Sequence, residues 1–130
     1  MKLPALLRRR AEPAEVGGVA RLDRRTKNLT KRLQPGEVAI IHHSDLDRVS
    51  AEALVSTGVS VVVNAVRSVS GRYPNLGPSI LLEAGIPLID DVGEDVFAAV
   101  TEGDRLVVDG NRLLDAEGAV VVSGTLVTTE

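Results

Sequence analysis

Residues 68–78, SVSGRYPNLGP, combine residue types that can bind an anion at one loop. Gly71 permits backbone conformations in which several N–H groups converge, and Arg72 offers a planar fork of donors. Pro78 favours the start of a helix, whose amino end carries partial positive charge. The sequence places no nucleophile beside a general base here. The loop therefore predicts binding of a phosphate, carboxylate or diphosphate rather than catalysis.

Further candidate ligand residues follow from the position of this loop in a predicted parallel sheet. Ligands bind outside the carboxyl ends of parallel strands, and both the loop and His42-His43 come after such ends. Adjacent strand residues point to opposite faces, so at most one of the two histidines can face a given site. The candidate ligand-binding residues are Asn64, Arg67, Ser68, Ser70, Gly71, Arg72, Tyr73, Asn75 and His43.

A structural role is the alternative interpretation of the same residues. In that interpretation the loop is a tight connection, Arg72 pairs with a local acid, and Tyr73 covers the edge of the core. The histidines have a similar alternative, as structural side chains with satisfied hydrogen bonds.

The acidic residues of the chain do not predict a metal site. Asp45 and Asp47 open a predicted helix, where capping explains them. The acidic cluster at residues 90–95 lacks the Asp-x-Asp spacing of a calcium loop, and helix capping and solvation account for it. We therefore predict no metal, no cofactor and no catalytic residue in this sequence.

The composition restricts the class of protein. The chain has 130 residues, with one Phe, one Tyr, no Trp and no Cys, so recognition of nucleic acid by stacking is not expected. No apolar run approaches the roughly 20 residues that span a bilayer. The amino terminus does not have the pattern of a signal peptide. These features predict a cytoplasmic protein without specific nucleic-acid binding.

Charge is distributed unevenly along the chain. Residues 1–35 hold ten Lys or Arg and three acids, whereas residues 36–130 hold five Lys or Arg and fifteen acids. The basic part either is solvated or rests on the acidic part, or else it contacts an anionic lipid, polymer or protein partner. Residues 1–15 show no sustained period and are predicted to form a flexible basic tail.

Hydrophobic periodicity predicts an α/β fold for residues 16–130, as one domain. A parallel βαβαβ core is followed by an antiparallel β-meander, in which Asp109-Gly110 and Glu117-Gly118 mark tight turns. In the first helix of the core, Leu46, Val49, Ala53 and Leu54 are predicted to face inward. The predicted strands of the core are 38–42, 59–64 and 86–89, and its helices are 45–57 and 78–84.

Three blocks of the chain carry a family resemblance. They are GVARLDRRTKNLTKRLQPGEVAIIHHSDLDRVSAEALV, VVVNAVRSVSGRYPNLGP and EAGIPLIDDVGEDVF. Together they resemble the amino-terminal domain of the SteA-type family, actinobacterial proteins assigned to cytokinesis and the cell envelope, over about residues 18–128. Family members continue into a thiamine-pyrophosphokinase-like domain and a carboxyl-terminal membrane segment, and we expect this chain to stop before both.

The resemblance implies a non-catalytic amino-terminal module that senses a ligand or binds proteins. Its expected partners are cell-division or cell-envelope proteins, a small anionic ligand at residues 68–75, or a second copy of the chain. The alternative is that the module belongs to a thiamine-pyrophosphokinase-like enzyme, handling nucleotides or diphosphates, whose catalytic domain is missing here.

A more distant resemblance concerns the fold. The order of Ser70-Gly71-Arg72, Gly85-Ile86-Pro87 and Asp109-Gly110 is similar to that in the swivelling β/β/α domains of phosphohistidine phosphotransferases and in the carboxyl-terminal domain of pyruvate kinase. The resemblance implies a swivelling β/β/α-type domain. The phosphotransferases carry their histidine nine residues before the glycine of the Gly-Ile-Pro segment, which is Gly85 here. This chain has Leu76 at that position, so a phosphocarrier role is not expected.

Overall fold

A computed structural model describes residues 16–70 and 76–128. Within these ranges the chain forms eight strands and four α-helices. The strands are β1 (Val16–Leu22), β2 (Val38–Ile41), β3 (Val61–Asn64), β4 (Leu88–Asp90), β5 (Arg105–Asp109), β6 (Arg112–Leu114), β7 (Val120–Ser123) and β8 (Thr125–Leu126). The helices are α1 (Thr26–Thr30), α2 (Arg48–Thr57), α3 (Gly77–Glu83) and α4 (Val96–Ala99).

All eight strands belong to one curled sheet, in the order β7-β6-β5-β1-β2-β3-β4-β8. Strands β1 to β4 are parallel to one another, while β5, β6 and β7 form an antiparallel meander attached to β1. Strand β8 lies antiparallel to β4 at the other end. Because Gly124 alone separates β7 from β8 in sequence, the two ends of the strand order must come together.

Two aliphatic cores divide the domain into three layers. Val62 of β3 packs with α1, α2 and α3 on one face of the parallel strands. Val61 and Val63 point to the other face, where they pack with Leu106 of β5 and Leu113 of β6. The continuous valine run therefore faces apolar neighbours on both sides, as a strand covered on both faces should. The predicted α/β class, with its parallel core and terminal meander, is confirmed, and the layers are in β/β/α order.

Helix α2 differs from its prediction in two respects. It begins at Arg48, with Asp47 as N-cap, because Asp45 has a left-handed φ of 53° that a helix does not accommodate. The inward orientation predicted for Val49 is wrong, since its side chain is 72% exposed. Ala51 instead occupies the inner face with Leu54, since residues three apart lie on the same face of a helix.

Part of the basic segment rests on the acidic part of the same domain. Arg21 pairs with Glu37 at 2.9 Å and with Glu102 at 3.3 Å, and Arg32 pairs with the same Glu102 carboxylate. The Glu102 carboxylate also accepts the Leu22 main-chain N–H at 2.9 Å, so it joins the end of β1 to the turn that follows α1. No helix within the described ranges is long and apolar enough to cross a membrane.

Candidate functional site

The carboxyl ends of β2 and β3 are joined by the side chain of Asn64. This fully buried amide accepts the His43 main-chain N–H at 3.0 Å and donates to the His43 carbonyl oxygen at 2.9 Å. It also accepts the Val66 N–H at 3.2 Å and donates to the Ser68 hydroxyl at 2.8 Å. Asn64 was predicted to contact a ligand, but its donors and acceptor are engaged with the protein and hold the two strand ends together.

Ser68 connects the start of the loop to the end of β4. Its main-chain N–H donates to Asp90 Oδ2 at 2.9 Å and its hydroxyl donates to Asp90 Oδ1 at 2.6 Å. Both residues are buried, with Ser68 fully so. Burial raises the pKa of the Asp90 carboxyl, as does the nearby Asp91 charge, and the two hydrogen bonds from Ser68 act in the opposite direction. Ser68 therefore holds the start of the loop against the end of β4, and we call this pair of hydrogen bonds the Ser68–Asp90 brace.

Ser70 is held in the same way by a second carboxylate. Its N–H donates to Asp45 Oδ1 at 2.8 Å and its hydroxyl donates to Asp45 Oδ2 at 2.9 Å. Apart from glycines, the described residues with a left-handed φ are Asp45 and Asp91. Both come after the ends of strands at this edge of the sheet. The strained backbone at Asp45 places its carboxylate against Ser70, where it accepts from two donors that an anion is predicted to use.

The two histidines point to opposite sides of β2, as the alternation of strand residues predicts. His43 Nδ1 lies 2.7 Å from the Thr26 hydroxyl and its Nε2 lies 3.3 Å from Asp47 Oδ1, on the helical side. His42 Nε2 lies 3.2 Å from Glu94 Oε2, beyond β4. The ring of His43 therefore links α1 to α2, and only its main chain touches the Asn64 network.

Arg67, a predicted ligand residue, is exposed to solvent. Among the described residues it has no acidic partner within ion-pair distance. It lies at the rim of a cleft of about 410 Å³, next to β4 and β8. The lining consists of Arg67, Val69, Pro78, Asp90, Asp91, Thr125 and Val127. A ligand in this cleft would therefore contact a guanidinium, carboxylates and aliphatic side chains.

Four predicted ligand residues lie outside the described residues, namely Gly71, Arg72, Tyr73 and Asn75. The sequence interpretation overlooked Asp90 as a partner of the loop, although it placed this acid directly after a predicted strand. The signal in the sequence is a carboxylate at a strand end beside a serine-containing loop, which capping of the following helix also explains. Asp45 was overlooked for the same reason.

No group of three or more His, Asp or Glu side chains in residues 16–70 and 76–128 is arranged to hold a metal ion. The chain matches no protein-family model, and no curated protein matches it at a significant level.

Proposed function

We propose that this domain is a non-catalytic ligand-sensing module of a SteA-like cytoplasmic protein of cytokinesis or the cell envelope. Its ligand is a small molecule that carries an anionic group and hydrogen-bond donors. The observation that supports this proposal is the guanidinium of Arg67, which lines the 410 Å³ cleft and has no acidic partner within ion-pair distance among residues 16–70 and 76–128. Such a guanidinium offers a planar, doubly donating contact to a phosphate or carboxylate.

The rest of the cleft limits the ligand. Asp90 and Asp91 line the same volume as Arg67, so a simple dianion would meet repulsion on one side of the cleft. A ligand with N–H or O–H groups opposite its anionic group satisfies both sides. Val69, Pro78 and Val127 supply carbon surface for an apolar portion between the two ends.

The hydrogen bonds around the loop favour sensing over chemistry. Ser68, the hydroxyl nearest to a carboxylate base, is fully buried and donates to Asp90, so a substrate cannot reach it without local opening. The same bonds fix the residues before the loop to three neighbouring strands. A ligand in the cleft therefore meets a preformed rim, which lowers the ordering cost of binding.

The proposal is tested by ¹⁵N–¹H NMR titration with phosphate, pyrophosphate, thiamine diphosphate and common nucleotides. Wild type is compared with Arg67→Gln, with Arg72→Ala, and with the control Arg105→Gln, which alters an exposed arginine on β5. We expect saturable shifts at residues 67–69, 78, 90–91 and 125–127, lost in Arg67→Gln and kept in Arg105→Gln. The proposal fails if no ligand produces saturable shifts, or if Arg67→Gln and Arg105→Gln weaken binding equally.

A further inference from the structure

The basic side chains on and around α1 and α2 are not all neutralised by acids of the described residues. Arg24 pairs with Glu94 at 3.0 Å and Arg48 pairs with Glu52 at 3.1 Å, in addition to the pairs of Arg21 and Arg32. By contrast, three exposed cations of the same segment have no carboxylate within ion-pair distance among the described residues. These three are Arg25, Lys27 and Lys31.

One of these cations, Lys27, lines an apolar groove between α1 and α2. Lys31, the C-cap of α1, does not line the groove, but it lies four residues later and therefore on the same side of the helix. The groove has a volume of about 260 Å³. Its lining residues are Thr26, Lys27, Thr30, Val49, Ser50 and Ala53.

Val49 is the most exposed large hydrophobic residue of the described chain, at 72%. It lies on the outer side of α2, one helical turn before Ala53, so the two form a short carbon surface along the groove. A single exposed valine is ordinary on a protein surface. Val49 differs from such a valine because it lies beside a groove and near lysines that have no acidic partner within ion-pair distance among the described residues.

The polar atoms in the groove are already bonded within the domain. The Thr26 hydroxyl lies 2.7 Å from His43 Nδ1, and the Thr30 hydroxyl donates to the Lys27 carbonyl oxygen at 3.0 Å. Ser50 makes hydrogen bonds to the Asp47 carboxylate; these lower the pKa of that group although its burial alone would raise it. What the groove offers to a partner protein is therefore an apolar surface together with lysine ammonium groups.

We propose that the α1–α2 groove is a docking site for an acidic and apolar segment of a partner protein. An aliphatic side chain of the partner lies against Val49 and Ala53, while flanking carboxylates pair with Lys27 and Lys31. Charge complementarity selects this occupant, because Lys27 and Lys31 have no carboxylate within ion-pair distance among the described residues and the hydroxyls that line the groove are already hydrogen-bonded. A concave groove of this size suits one side chain, whereas a lipid surface requires a broad convex apolar face.

This docking site is independent of the ligand cleft, since no residue lines both. The variant Arg67→Gln removes the cation of the cleft and leaves the groove intact. Failure of one proposal therefore leaves the other open to its own test.

The probe is a short fluorescent peptide with a central leucine flanked by glutamates, and binding is followed by anisotropy and by NMR shifts. The same peptide with lysines in place of glutamates tests the role of charge. We expect saturable binding of the acidic peptide, with shifts at residues 26–31 and 49–53, and none of the lysine peptide. The variants Lys27→Glu and Val49→Ser should each raise the Kd about fivefold or more.

Matched controls separate a specific groove from general charge or hydrophobicity. Arg105→Glu makes the same charge change on β5, and Val120→Ser removes a half-exposed valine on β7, and neither should change the Kd. Vesicles of neutral lipid with and without phosphatidylglycerol test the membrane as the occupant. The proposal is overturned if the control variants weaken binding as much as the groove variants do. It is also overturned if phosphatidylglycerol vesicles, but not the acidic peptide, shift residues 26–31.

Discussion

The Ser68 hydroxyl and the Ser68 main-chain N–H both donate to the carboxylate of Asp90, at 2.6 and 2.9 Å. The two residues are 22 positions apart in sequence and are separated by the loop and α3. Their pairing fixes the first residues of the loop against the end of β4. The same carboxylate lines the cleft beside Arg67, so the brace and the candidate site share one group.

Removing the Ser68 hydroxyl should destabilise the domain. In Ser68→Ala, Asp90 Oδ1 loses a donor and the Asn64 amide loses an acceptor, both in buried positions. We expect a loss of about 1–3 kcal/mol in the free energy of unfolding, measured by urea denaturation. The control Ser56→Ala removes an exposed hydroxyl bonded to the Ala53 carbonyl oxygen and should change stability by less than about 0.5 kcal/mol. Equal effects of the two variants would contradict the brace.

The carboxyl of Asp90 should titrate above the ordinary aspartate value of about 3.9. Burial raises its pKa and Asp91 adds to the effect. The folded state then holds this proton to higher pH than the unfolded state, so its contribution to stability falls as the pH rises through that interval. The ¹³Cγ shift of Asp90, followed between pH 2 and 8, measures the pKa directly. A midpoint at or below 3.9 would show that the hydrogen bonds from Ser68 outweigh burial.

Gly124 should not tolerate a side chain. A Cβ at this position would lie 2.2 Å from the Asp90 carbonyl oxygen and 2.8 Å from Val92 Cγ1, so the backbone itself would have to move. We expect Gly124→Ala to cost about 2 kcal/mol or more in thermal or urea unfolding. Gly118→Ala is the comparison, because Gly118 has a φ of 89° and open space around it, so that variant meets backbone strain alone. A smaller loss at Gly124 than at Gly118 would show that β8 can move away from β4.

Glu102 should contribute to stability at neutral pH and less in acid. Its burial alone would raise its pKa, but hydrogen bonds from the Leu22 N–H and the Arg32 and Arg21 guanidinium groups lower it overall. The contribution is therefore complete above the unfolded pKa of about 4.3 and is lost as the pH falls through the lower folded value.

The variant Glu102→Gln tests this dependence. Because the carboxylate is more than a third exposed, we expect a loss of at most about 1 kcal/mol at pH 7, which disappears as the pH falls through the lowered pKa of Glu102. Glu117→Gln, at an exposed glutamate without a basic partner among the described residues, controls for the loss of one charge. A stability difference between wild type and Glu102→Gln that stays constant with pH would rule out the ionic contribution.

Local pattern predicted the order of elements because hydrophobic periodicity is a property of neighbouring residues. The valine run of β3, the helix after Pro78, and the Asp109-Gly110 turn of the meander all lie where the sequence places them. The opposite orientation of His42 and His43 also followed from strand alternation. The proposed family and its ligand, which rest on resemblance, stay predictions.

Tertiary structure decided the hydrogen-bond partners and the strand pairing between distant segments, which local sequence pattern does not contain. Asn64, Ser68 and Ser70 have the chemistry of anion donors, yet the fold supplies each with a partner from the protein. The Asn64 amide donates to the His43 carbonyl oxygen and to Ser68, while Asp90 and Asp45 accept from Ser68 and Ser70. The sequence shows which groups can form hydrogen bonds but not which partners they have. Only the folded chain determines whether a ligand or another residue forms the hydrogen bond. The closure of β8 onto β4 likewise depends on pairing between distant segments. The sequence alone determined the order of the main strands and helices and the chemistry available at their ends, while the fold decided the start of α2, the pairing of β8 and which of those groups are left for binding.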